Sequence, residues 1–273
     1  MRAIIVFAFL ATLLPAATKP EPSEAEIQKI IKAFSEKESA FLKARELYTY
    51  RQDVRIEDCD AGGGSCGKFE VLSDIVFNPS DGKRIERVVR APVPALRYIS
   101  LSPEDEQDLR SVQPFVLNAQ ELPKYHVRYL GRETLDEVEC YTFAVKPKDM
   151  AVGERYFAGI AWVDVDDLQI VRTYGRALGK LKKNTDQRFP KFETYREQID
   201  GKYWFPTLTR ADDMLYFEDG TYRLKMRVRY ADYKRFKADT TITFGDEVKD
   251  STDKGNAPTG PVLAPPLPPK KKQ

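Results

Sequence analysis

The chain has 273 residues, and 44 Lys+Arg against 42 Asp+Glu leave a formal charge of +2, too even a balance for a surface built wholly to hold nucleic acid. A hydrophobic fraction of 42% with 11% aromatics supplies a core, while 32% charged residues exclude a polytopic membrane protein. The remaining expectation is a soluble body of one or two domains.

Met1 and Arg2 precede the apolar run Ala3 to Leu14, and Pro15, Ala16 and Ala17 follow. A charged start, a short apolar stretch and a small-residue exit predict a secretory signal over 1–17, cleaved near Ala17, and export. The run is short for a bilayer span, which leaves a retained anchor as the alternative. Ser23 with Glu26 makes a capping box, and Ile27, Ile30, Ile31, Phe34, Phe41 and Leu42 recur at helical spacing to about Leu47. One face of this opening helix must therefore be buried.

Strands follow. Leu47 to Glu57 and Lys68 to Phe77 alternate with period two on either side of the turn sequence DAGGGS, which Cys59 and Cys66 flank. A hairpin clamped at its loop by a disulfide is predicted, in keeping with export. Cys140 has no partner and reads as a small buried residue in a strand. Ile85, Arg87 and Val89 alternate next, and a short helix starts at Ser102 with Pro103 in its first turn and acidic residues at its positive end.

Strands resume over Lys124 to Gly131, Val138 to Lys146, Arg155 to Val165, Leu168 to Ala177, Lys191 to Ile199, Lys202 to Ala211, Met214 to Glu218 and Tyr222 to Phe236. The connectors LDE, DVDDL, IDGK and EDGT are turn-like, so neighbours should pair antiparallel. In the last strand Tyr222, Leu224, Met226, Val228 and Tyr230 face one way, and Arg223, Lys225, Arg227 and Arg229 the other. About eleven strands without a repeated βα unit describe a mainly β (α+β) chain with one antiparallel sheet that curls around whatever covers its apolar face. Beyond it, residues 258 to 269 hold six of the 18 prolines, and Lys270, Lys271 and Lys272 follow. The segment 247–273 is accordingly expected to be a disordered, solvated tail.

The segments YLGRETLDEVECYTFAVKPKD and RYFAGIAWVDVDDLQIVRTYG, with DGKYWFPT ending at Thr207, resemble the LolA-type superfamily of outer-membrane lipoprotein-sorting proteins, which includes LolA, LppX and RseB-type half-barrels. The likeness covers most of residues 23 to 246. It implies an unclosed, strongly curved antiparallel β half-barrel with a helical lid, holding acyl chains or hydrophobic peptide segments between sheet and lid. The Cys59–Cys66 loop and the Pro-rich tail depart from that pattern.

Acyl chains need a dry cavity, and an open barrel under a movable lid supplies one. By alternation the ligand-binding candidates are Tyr48, Tyr50, Val54, Phe69, Val71, Ile75, Val89, Tyr125, Phe143, Trp162, Leu224, Met226 and Val228, with Ile31 and Phe34 on the opening helix as lid. The bland reading is that these residues fill a core.

Sharper motifs fail. GGGSCGK, Gly62 to Lys68, has the spacing of a phosphate loop, but Phe69 stands where Ser or Thr would hold magnesium, and a strand follows instead of a helix. His126 is the only histidine and falls on the polar side of its strand, so a His-based triad or a multi-histidine metal site is hard to build. Asp164, Asp166 and Asp167 read as a turn, as do Asp212 and Asp213. The basic row on the last strand reads as its solvated side, with contact to anionic headgroups or an acidic partner as the alternative.

The sequence thus predicts a non-enzymatic periplasmic carrier or binding protein for lipid or lipoprotein acyl chains, acting in lipoprotein sorting or transport, without cofactor, metal or nucleic acid. Inner- or outer-membrane proteins are the further candidate partners. The alternatives are an RseB-like envelope-stress sensor that binds a membrane protein, and an envelope structural protein or hydrolase with a filled core.

Overall fold

The computed structural model describes residues 20–91, 95–180 and 190–236. The predicted signal over 1–17 and the Pro-rich tail lie outside the described residues, as does the end of the predicted domain beyond 236.

Helix α1 (Glu24–Arg45) is followed by β1 (Tyr48–Asp60), β2 (Cys66–Phe77) and β3 (Arg84–Arg90), then α2 (Pro103–Ser111). Among the described residues seven further strands follow: β4 (Tyr125–Leu135), β5 (Val138–Pro147), β6 (Arg155–Asp164), β7 (Ile170–Gly179), β8 (Lys191–Ile199), β9 (Tyr203–Tyr216) and β10 (Thr221–Arg235). All ten lie in one antiparallel sheet in the order β3-β2-β1-β10-β9-β8-β7-β6-β5-β4, so β3 and β4 are the edges and the sheet does not close.

Both helix starts are where the sequence puts them. Ser23 Oγ accepts from the Glu26 N–H while Glu26 accepts from the Ser23 N–H, and Ser102 and Asp105 repeat the exchange at α2. Two otherwise orphaned donors are satisfied at each end. The IDGK turn between β8 and β9 puts Asp200 and Gly201 at positive φ, 56° and 65°, the pairing whose twist matches that of a hairpin.

Ten strands form among the described residues where about eleven were expected. Asp212 and Asp213 do not break the chain, because β9 runs unbroken for 14 residues. Asp212 pairs with Arg223 on β10 at 2.7 Å, and Asp213 accepts from the Lys191 N–H at 2.9 Å. Cross-strand partners thus keep two carboxylates inside a strand that local preference would end.

The disulfide joins Cys59 to Cys66, directly opposite residues of β1 and β2. A closed loop this small contributes about 2.5 kcal/mol in the chain-entropy account.

Helix α1 runs diagonally over the concave face. Phe34 packs on Phe143 of β5 at 5.3 Å, Phe41 meets Phe205 of β9 edge-on at 5.1 Å, and the Arg45 guanidinium sits over Phe77 of β2. Phe34, Phe41, Phe143 and Phe205 are fully buried, each worth about 1.5–3 kcal/mol relative to exposure. After α2 the chain crosses the same face, where Phe115 stacks on Phe157 at 4.4 Å and meets Tyr125 edge-on. The concave side of β4 to β6 is therefore filled with aromatic rings.

Candidate functional site: a cavity beneath the second helix

On the other half of the concave face the packing opens. A cavity of about 130 Å³ lies between the sheet and the segment entering α2, lined by Ile56, Leu215, Leu224, Met226, Phe192 and Ala177 below and by Ile99, Leu101, Asp108 and Leu109 above. A second space of about 310 Å³ adjoins it towards β3, lined by Gln52, Val54, Phe69, Val71, Glu86, Val88, Glu106 and Leu109. Both floors are inner-face positions of the sheet, and α2 with its leader is the cover.

The cover is held by a buried carboxylate. Asp58, without solvent exposure at an inward position of β1, accepts from the backbone N–H of Gly67 at 3.1 Å, Arg97 at 2.9 Å, Tyr98 at 2.6 Å and Ile99 at 2.8 Å. Four N–H donors on one side chain replace the hydration that burial removes. Gly67, opposite Asp58 in the register, has no side chain because none fits. A Cβ there would stand 2.4 Å from Asp58 Oδ1 and 2.5 Å from both the Ala95 carbonyl and the Arg97 nitrogen. The disulfide one position further along fixes this pair at the hairpin tip. Sequence reasoning missed Asp58, whose only signal was a carboxylate at a position that alternation points inward.

At its far side α2 faces Arg155 of β6, itself 6% exposed, whose guanidinium lies 3.8 Å from both Asp105 and Asp108. Gln52 Nε2 donates to the Leu109 carbonyl at 3.4 Å. The Gln113 side chain, buried in the cavity wall, donates to the Met226 sulfur at 3.3 Å.

Of the sequence candidates, Val54, Phe69, Val71, Leu224 and Met226 line the two spaces. Ile31, Phe34, Tyr50, Ile75, Tyr125, Phe143 and Val228 are buried in the main core, and Tyr48 sits in a smaller cluster with Phe41 and Phe205. The opening helix, expected as the lid, is a packed wall, and the cover of the cavities is the short second helix.

Two candidates stand on the wrong face. Val89 follows Val88, which lines the larger space while Val89 does not. The hairpin register pairs Ser73 with Val88 and Ile75 with Glu86, so the inward residues of β3 are Arg84, Glu86 and Val88. Those residues form a network: Ser73 Oγ donates to Glu86, and Arg84 donates to Glu86 and Gln52. Trp162 is also outward. It pairs with Thr142, while Ala161 pairs with the inward Phe143, and it packs with Cys140 and Val171 beneath the Arg172 guanidinium.

The motifs set aside earlier have structural partners. Asp60 accepts from the Gly64 and Ser65 N–H groups at the hairpin tip, and Asp164 accepts from those of Asp166 and Asp167. Burial, with Asp164 and Glu133 nearby, pushes the Cys140 thiol up to about 12, which leaves it protonated and inert.

The described residues thus form a helix-covered, unclosed antiparallel sheet. No protein-family model matches the chain, and no curated protein does. Solved structures similar to it include a DUF1329 family protein from Desulfovibrio piger, 15% identical, covering 77% of this chain and 95% of that one, with a TM-score of 0.39. A LolA superfamily protein from Nitrosomonas europaea is 14% identical, covering 77% and 93%, with a TM-score of 0.33. The Pseudomonas aeruginosa MucA/MucB complex matches at 9% identity, covering 76% and 100%, with a TM-score of 0.21. Overlaps this partial transfer no ligand or partner to this chain.

Proposed function

We propose that this chain is a non-enzymatic binding protein of the periplasm, which carries an acyl chain of a lipid or lipoprotein between the inner face of its half-barrel and α2. The observation that carries this reading is the division of the concave face. Aromatic packing fills the half beneath α1, while the half beneath α2 keeps apolar floors and a cover built from one short helix. A disulfide at the hairpin tip agrees with an oxidising compartment.

In this reading Ile56, Val54, Phe69, Val71, Leu224 and Met226 meet the chain, and the rings under α1 keep the sheet curved. The test is native mass spectrometry and lipid extraction of protein isolated from the periplasm. Acyl-bearing molecules should co-purify with the wild type and be absent from Leu224→Glu protein that retains its circular dichroism. If no such ligand is found and a hydrophobic fluorophore detects no site, the carrier reading falls. Salt-sensitive binding to one membrane protein without lipid uptake would replace it with a sensor.

A further inference from the structure

The two spaces under α2 have one lining residue in common, Leu109. Their floors are continuous, because Val54 of the larger space and Ile56 of the smaller are successive inward positions of β1, about 7 Å apart along the strand. Leu109 is 9% exposed, and its backbone is tied to the sheet by Gln52.

Size also argues that the spaces belong together. Small-ligand sites run to roughly 300–1,000 Å³. The smaller space, about 130 Å³, falls short alone, and the larger, about 310 Å³, only reaches the lower limit. Joined, they sit inside the range, and Leu109 is the residue that both linings share.

Building on the carrier reading, we infer that Leu109 is a gate that sets the length of the apolar chain this protein accepts. An unbranched chain enters over Val88 beside β3, lies on Val54 and Val71, and must displace the Leu109 side chain to continue onto Ile56, Leu224 and Met226. Only a thin, flexible chain suits a groove with a step in its middle. The polar end stays in the larger space, where Gln52, Glu86 and Glu106 stand. Short chains occupy that space alone, and long chains pay to rotate the gate.

The test is binding of uncharged monoacylglycerols, from octanoyl to palmitoyl, to the full chain and to Leu109→Ala and Leu109→Trp variants, with thermal melts as a control for folding. In the wild type, affinity should climb about fourfold per methylene, flatten where the chain meets Leu109, and climb again beyond it. Leu109→Ala should remove the flat region. Leu109→Trp should weaken the longest chains by about tenfold or more relative to the shortest. Should Leu109→Ala melt before measurement, Leu109→Met and Leu109→Trp supply the same comparison from the other side. Equal effects at every chain length would overturn the gate while leaving the carrier reading intact. A wild type that binds none of the series would overturn both.

Discussion

Glu38 of α1 and Arg196 of β8 form an ion pair, Nη1 to Oε1 at 3.1 Å, in which neither side chain has more than 1% exposure. Glu38 also accepts from the Ile170 N–H at 3.0 Å, and Arg196 donates to the Phe115 carbonyl with its guanidinium over the Phe41 ring. One pair thereby ties the first helix, the segment after the second helix, and strands β7 and β8. Removing one partner strands a buried charge, at a cost of about 3–5 kcal/mol. Arg196→Met should therefore lower stability in urea unfolding by about that amount. The double variant with Glu38→Gln should recover most of it, and simple additivity would show that the pair does not act as a unit.

The same pair makes a pH prediction. Burial pushes the Glu38 carboxyl up from its ordinary 4.5, with Arg196 and the Ile170 N–H pulling it back. The folded state then holds this proton to higher pH than the unfolded chain, so Glu38 contributes less stability as pH rises through that interval. The stability of the wild type relative to Glu38→Gln should fall as pH climbs above the usual glutamate range. A rise over the same range would mean that Arg196 outweighs burial.

Asp58 makes a prediction about motion. Asp58→Asn removes one of the oxygens that collect the N–H groups of Gly67, Arg97, Tyr98 and Ile99, a loss of about 2–3 kcal/mol for the strongest of these bonds. Hydrogen exchange should accelerate over residues 97 to 109 while the strands under α1 keep their protection. Gly67→Ala should act in the same way by pushing the Ala95–Arg97 backbone off the hairpin. Uniform acceleration through the whole sheet would assign Asp58 to global stability instead.

Strand parity can be tested by charge. Val88→Glu and Leu224→Glu place a carboxylate on the inner face and should abolish uptake of a hydrophobic fluorophore. Val89→Glu, on the outer face, should leave uptake unchanged, as should Trp162→Phe. Loss of uptake in Val89→Glu protein with a normal melt would invert the assigned register of β3.

Cys140 should resist alkylation. With its thiol pushed up to about 12 and its side chain buried, native protein at neutral pH should take up no iodoacetamide. Unfolded, unreduced protein should take up one equivalent, since Cys59 and Cys66 are joined. Three equivalents without reductant would break the disulfide assignment.

Most of the fold was legible because its signals are local. Ser23 and Ser102 announce both helices, the period-two runs locate the strands, and DG marks the hairpin between β8 and β9. Errors came where a distant partner overrules a local pattern. Asp212 looked like a break until Arg223 reached it diagonally from β10. Val89 and Trp162 were assigned inward because alternation gives relative faces within a strand, and only pairing with the next strand gives the absolute one. Ile31 and Phe34 do face the sheet, yet burial on a wall and exposure to a cavity have the same apolar spacing. The lid escaped notice because its anchor is a set of main-chain donors, which have no letter in a sequence.

The seam between β1 and β10 joins opposite ends of the described body, with Tyr48 opposite Arg235 and Asp60 opposite Tyr222. A chain made from its N-terminus holds the first hairpin early but has nothing to dock it on until the last strand arrives. Assembly of this sheet is consequently slow and late, as expected where long-range pairings dominate. Until then β9 and β1 both offer open edges to other chains. Truncation before Tyr222 should yield aggregates and not a smaller domain, so a handler that shields the unfinished chain matters more to this protein than to one of equal length built from local hairpins.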